Sequence, residues 1–297
     1  MKKLIALYFY VEERYGKDWK YCNERFSNNK KPEFSDEELL TVYLYGIMEE
    51  RRFRVKDIYD FTKKHMLSWF PRLPSYQTFN ERLNRMSAVF ELILREVLAL
   101  YAGTGSGGVS FAVDSFPVII CSGKRKSKVA VDISEKGYCS TKSMYYYGLK
   151  VHISGMIRQG RLPLPGNIVV TSAAENDLNV FREYWYNEKY KIFYGDKIYR
   201  DQNWFSAFEK QTASKMLTPV KMVVGMTDRL KQFSKAADDL WSKAVSAVRQ
   251  PIESLFNWLI EKTDIQRASK VRSTKGLLVH LFGKLAAAFL SVYLFNP

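Results

Sequence analysis

Val109-Ser-Phe-Ala-Val-Asp114-Ser-Phe116 is the stretch on which the fold turns. Its apolar, β-branched and aromatic residues favour a buried, pleated strand, yet one carboxylate stands among them. An unpaired charge is costly to bury there, so Asp114 calls for a partner. Just upstream, Gly103-Thr-Gly-Ser-Gly-Gly108 marks a change of pattern and reads as a linker over residues 103–108. A phosphate-binding glycine loop would follow a strand and open a helix, and neither flank is legible.

Downstream of the linker, residues 144–154 and 167–171 read as two more strands, with a turn at Pro163, Pro165 and Gly166 between them. A helix over 177–188 leads to a short strand, 191–194, which ends at Gly195-Asp196. A helix over 201–210 precedes a last strand at 215–219, and the remainder is helical. Antiparallel strands followed by parallel ones through helical crossovers give an α/β fold with a mixed five-stranded sheet flanked by helices. Asp114 is expected on the central strand and Asp196 at the end of the fourth. Neighbouring strands lie roughly 4.8 Å apart, close enough for two carboxylates to share one ion. Pro117 cannot donate to a central ladder, so the first strand is expected to end or bulge there.

Upstream, residues 1–102 read as a helical region. Ser35-Asp-Glu-Glu38 is a capping box ahead of Leu39, Leu40, Tyr43 and Ile47 at helical spacing. A second helix is expected over 55–69, closed by Pro71 and Pro74. Ser75 would cap a third, over 76–86, with Gln77, Asn80, Arg82 and Arg85 on its polar side. Such a set is compatible with a DNA-reading module and equally with plain three-helix packing. A fourth helix, 88–101, reads as core. The chain opens like a signal peptide but runs into Glu12-Glu13-Arg14 with no small-residue cleavage site, so an amphipathic helix is expected. Leu285 to Phe295 is apolar but short for a bilayer, and reads as a buried final helix with no membrane role.

There are 46 Lys and Arg against 31 Asp and Glu, a formal net charge of +15. Residues 1–100 contribute only +3, and each of the remaining two thirds +6. After Asp264 come Arg267, Lys270, Arg272, Lys275 and Lys284 and no acid at all. Such an excess favours a polyanionic partner through counterion release, although a basic protein without a nucleic-acid role has the same composition. Cys22, Cys121 and Cys139 are odd in number and without CxxC spacing, which argues against a disulfide framework or a zinc site and fits a reducing cytoplasm. His65, His152 and His280 are isolated and read as structural.

Three carboxylates stand apart: Asp114, Asp196 in Tyr-Gly-Asp196-Lys-Ile-Tyr, and Glu253 in Arg249-Gln-Pro-Ile-Glu253-Ser-Leu-Phe. Oxygen donors of this kind suit magnesium. On these phrases, and on Lys136-Gly-Tyr-Cys-Ser-Thr-Lys142 and Tyr147-Gly-Leu-Lys-Val-His152, the chain resembles bacterial insertion-sequence transposases of the DDE superfamily. The resemblance implies a helical, possible DNA-binding region over 1–102 and a ribonuclease-H-like catalytic domain over 109–297. It implies that Asp114, Asp196 and Glu253 are catalytic and hold Mg2+, with Mn2+ able to substitute. It also implies double-stranded DNA as partner (terminal inverted repeats and target), a homo-oligomer on that DNA, and a bacterial, nucleoid-associated cytoplasmic location. Arg249 matches the family's arginine four residues before the glutamate, whereas Ser246 and Ile260 replace its tyrosine and lysine. Lys262 falls on the helix face opposite Glu253, and Asn257 shares that residue's face. The DNA-contact candidates are Lys124, Arg125, Lys126, Lys128, Lys142, Arg249 and Asn257. Asp177 reads as an N-cap ahead of a metal ligand, and the Tyr145–Tyr147 run as strand packing ahead of base stacking. The alternatives are a ribonuclease-H-like nuclease that does not transpose and a non-catalytic DNA-binding descendant.

Overall fold

The structure, a computed structural model, describes residues 2–23, 32–104, 108–124, 126–220 and 228–295. In chain order the elements are α1 (Lys2–Lys17), α2 (Asp36–Met48), α3 (Val55–His65), α4 (Tyr76–Arg85), α5 (Ser87–Thr104), β1 (Ser110–Ser122), β2 (Glu135–Cys139), β3 (Met144–Arg158) and β4 (Arg161–Ser172). Then follow α6 (Asp177–Tyr184), β5 (Ile192–Tyr194), α7 (Gln202–Thr212), β6 (Lys215–Leu217), α8 (Asp228–Arg249), α9 (Pro251–Thr263), α10 (Thr274–Leu278) and α11 (Lys284–Phe295). Two units emerge: Met1–Leu100 with Val118–Ser134 and Leu259–Pro297, and Tyr101–Pro117 with Glu135–Trp258. Of the stretch read as a linker, Gly103 and Thr104 close α5, and residues 105–107 lie outside the described residues.

The first unit is built on the expected caps. Ser35 Oγ accepts from Glu38 N at 3.1 Å, while Ser35 N donates to the Glu38 carboxylate at 2.6 Å, so two orphan helix-end donors are satisfied together. Ser75 Oγ likewise accepts from Thr78 N at 3.3 Å. Along α1, Leu4, Leu7, Val11 and Tyr15 are buried, the stripe of an amphipathic helix. One polar residue of α4 behaves differently from its sequence grouping. Arg82 turns inward, donating to Asp36 Oδ1 at 2.5 Å and to the Phe34 carbonyl at 2.7 Å.

At the C-terminal end, α10 passes through one π turn, Val279–Gly283, into α11. Gly283 is required there because a Cβ would stand 2.7 Å from the Tyr43 ring. The resulting 22-residue rod is longer than the apolar run suggests, and by length and composition alone it could cross a membrane. It is instead a core helix, since Leu285 through Leu290 are all buried within the unit.

In the second unit the sheet order is β2-β3-β1-β5-β6, with β4 also on β3. The β2/β3 and β3/β4 pairs are antiparallel, and the β1/β5 and β5/β6 pairs parallel. The mixed α/β sheet expected from the sequence is therefore present, with six strands among the described residues rather than five. The additional strand, β2, is a polar, glycine-bearing segment in which Gly137 admits the Ala173 carbonyl within 2.2 Å of where a Cβ would be. Pro163 and Pro165 lie inside β4, not in a turn. They sit beside register shifts at Ser154/Gly155 and Met156/Arg158, and the chain reverses at Gly160, whose φ is +66°. β1 also continues past Pro117. Residues 110–112 pair with β5, and Ile119 then exchanges backbone bonds with Gln266 and Ala268 (2.8 and 2.9 Å), so the missing proline N–H falls between two bonded stretches. Phe111 and Val113 of β1, Phe193 of β5, Phe181 and Trp185 of α6, Phe208 of α7 and Tyr199 form the core. That cluster holds the first residues of β1, up to Asp114, against β5.

Candidate carboxylate site

The parallel register of β1 and β5 pairs Ala112 with Tyr194. Asp114 and Asp196 each lie two residues further along, where the strands leave the ladder. Arg249 is the last residue of α8 and Pro251 the first of α9, a position where a missing N–H costs nothing. Across this break Arg249 Nη1 donates to Asp114 Oδ2 at 2.5 Å, and Nη2 to Glu253 Oε1 at 2.6 Å. One guanidinium fork thus joins the first and third carboxylates. The side chains of Arg249 and Asp114 are 17% and 23% exposed, and that of Glu253 is 53% exposed.

Asp114 Oδ1 also accepts from Ser115 N at 2.8 Å. Burial pushes the Asp114 carboxyl up to about 6; Arg249 and the Ser115 N–H oppose the rise, and the charges of Asp177 and Asp196 add to it. Asp196 is exposed, and its Oδ1 accepts from Lys197 N at 2.6 Å at the start of a 3-10 turn. Tyr199, in that turn, is buried with its hydroxyl unpartnered. Its phenol is held well above its ordinary value by burial and by the charges of Asp177, Asp114 and Asp196. All three aspartates thus act on the charge of one phenol.

Asp177 is not the N-cap of α6. Asn176 is, its Oδ1 accepting from Leu178 N at 2.9 Å. Asp177 is buried as the first helical residue and receives Ser115 Oγ at 3.0 Å, with Lys150 Nζ at 3.4 Å and His152 Nδ1 at 3.2 Å. Burial alone would raise its pKa, but His152 and Lys150 hold it below the ordinary carboxylate range. Ser115, Lys150, His152 and Tyr199 were not singled out as site residues by the sequence. The signal for two of them was there: Lys150 and His152 are two apart on one strand and so share a face.

Of the DNA-contact candidates, Arg249 is in the carboxylate site, and Asn257 and Lys142 are exposed in the same unit. Lys124, Lys126 and Lys128 are exposed on the segment belonging to the first unit, and Arg125 lies outside the described residues. Asp114, Asp177, Asp196 and Glu253 offer only oxygen donors, the set a hard divalent cation takes. Of these, Asp114 and Glu253 meet on Arg249, and the charges of Asp177 and Asp196 reach Asp114. Among the described residues, no three His, Cys, Asp or Glu already converge as a metal cage. No family model matches the chain, and no curated protein or solved structure matches it either.

Proposed function

We propose that the second unit is a metal-dependent DNA strand-cleaving and strand-transferring centre, a transposase of the DDE kind on a ribonuclease-H-like sheet. The observation that carries this reading is the juxtaposition of Asp114 and Glu253 on Arg249, with Asp196 two residues past the end of the adjoining strand β5. Asp114, Asp196 and Glu253 would hold magnesium, or manganese in its place. Such an ion supplies a nucleophile at neutral pH and stabilises the leaving oxygen of a phosphodiester. Arg249 neutralises two of the acids and presents a planar fork that suits phosphate as well as carboxylate. Asp177, tied to Lys150 and His152, anchors Ser115 and so holds the strand next to Asp114. The net charge of +15 favours duplex DNA as substrate, both the element's ends and the target. Bridging two ends calls for more than one copy of the chain, working in the bacterial cytoplasm at the nucleoid.

The test is magnesium-dependent cleavage of DNA carrying the gene's own flanks, comparing the wild-type chain with Asp196→Asn. Nicking at the flanks is expected from wild type, with a loss of about a thousandfold or more in the variant while binding is retained. A wild-type chain that binds the flanks but cuts with neither magnesium nor manganese would overturn the enzymatic reading. A DNA-binding descendant, in which Arg249 permanently satisfies Asp114 and Glu253, would replace it.

A further inference from the structure

The first unit holds a cavity for which the carboxylate chemistry has no use. Its volume is about 450 Å³, within the range of small-ligand sites. The π turn contributes His280 to it and is followed directly by Lys284, and π turns within helices recur at functional positions. Lys284 is 2% exposed; its Nζ donates to the Asp264 carbonyl at 3.1 Å and stands 6.0 Å from the centre of the Phe53 ring. Burial draws this amine down to about 7, and burial together with Lys284 draws His280 down to about 3. An arriving anion would restore the charge of the amine.

The walls are cationic. Arg54, Arg267 and Lys270 line the cavity and enter no ion pair among the described residues, and Arg272 donates to the Ser269 and Val271 carbonyls. Asp57 and Asp264 are the acids opposing them. Asn80 and Asn84 of α4 add amides that both donate and accept. Cations alone would suit any anion. Cations beside an aromatic ring and two carboxamides suit an anion that carries a planar, hydrogen-bonding ring.

We propose that this cavity binds a nucleotide, with its phosphate on Arg54, Arg267 and Lys270 and its base against Phe53, Asn80 and Asn84. A duplex does not fit in such a volume, so the nucleotide is either free or unpaired within a strand. A second basic cavity, lined by Lys124, Lys126 and Lys128, shares Ser269 and Arg272 with the first. It carries the cationic surface beyond the reach of one nucleotide and favours the strand. The proposal uses no residue of the carboxylate site and stands whether or not that site cleaves DNA.

Fluorescence anisotropy with a labelled single-stranded oligonucleotide tests it. EDTA and the full chain carrying Asp114→Asn exclude cutting. Relative to that chain, adding Arg267→Ala and Lys270→Ala should weaken binding by about tenfold or more. It should also flatten the dependence of log affinity on log salt by about 1.4, at roughly 0.7 per lost phosphate contact. Phe53→Ala should weaken binding about fivefold with the salt slope unchanged, as loss of a stacking surface does. Both exposed cations can be removed without touching the core, and thermal melts of every variant confirm folding. If an excess of a deoxynucleoside monophosphate displaces the oligonucleotide, the cavity also takes the free nucleotide; with the variant effects present and no displacement, the strand is its ligand. Unchanged affinity in both variants overturns the proposal.

Discussion

The carboxylate site of the second unit and the cavity of the first each bury a charge, and burial moves the two in opposite directions. Asp114 is pushed up to about 6 and Lys284 down to about 7. In both places the charged form is the disfavoured one. Asp114 has Arg249 against it, but Asp177 and Asp196 add charge of its own sign. Lys284 has a backbone carbonyl and the more distant charge of Asp264. Each site is stocked with one sign of charge beyond what its neighbours balance, an arrangement that costs stability and that a ligand of the opposite sign would relieve.

The two charges should also separate in their dependence on pH. For Asp114 the folded state binds more protons than the unfolded one between about pH 4 and 6, so stability falls as pH rises through that window, by about 3 kcal/mol. For Lys284 the unfolded state binds more protons between about pH 7 and 10.5, so stability rises with pH there, by about 5 kcal/mol. The largest expected effect follows. Lys284→Met should stabilise the chain by up to about 5 kcal/mol at pH 6, and the gain should fade above pH 10. Urea melts at both pH values measure it; a gain that does not change with pH would mean that Lys284 is not buried as a charge. Next comes Asp114→Asn, expected to stabilise by about 2 kcal/mol at pH 8 and by nothing near pH 4, because Arg249 gives back part of the gain by losing a partner. Smallest is Arg249→Gln, which should destabilise by about 1 kcal/mol at pH 8. It should also move the Asp114 titration, followed by NMR, to higher pH. A downward move would show that Arg249 does not control that carboxyl.

Much of the fold was legible because it rests on local chemistry. The Ser35 and Ser75 caps, the α1 stripe and the sense of the strands follow from residue type and spacing. β2 was not legible, since Glu135-Lys-Gly-Tyr-Cys puts glycine rather than a large apolar residue at a buried position and is made a strand by pairing with β3. The prolines misled for a similar reason. Pro117 and Pro163 signal an end only where the neighbouring strand needs their N–H, and here partner changes and bulges remove that need. At the site, Asp114 and Glu253 were singled out from sequence and share a guanidinium in the structure. The inward turn of Arg82 and the Ser115–Asp177–His152 linkage depend on residues 25 to 62 positions apart meeting in space. No local pattern encodes that.

The π turn at Val279–Gly283 amounts to one inserted residue in an otherwise regular rod. Everything after Gly283 is therefore out of phase with α10 by one position, about 100° around the axis. Along α11 the rotation exchanges one apolar side chain for another nearly everywhere, because Lys284 is the sole charge in the helix. The insertion is almost silent for the core. What it decides is the azimuth of a single amine, and deleting any one residue of the turn would swing that amine away from the cavity while leaving the helix as greasy as before.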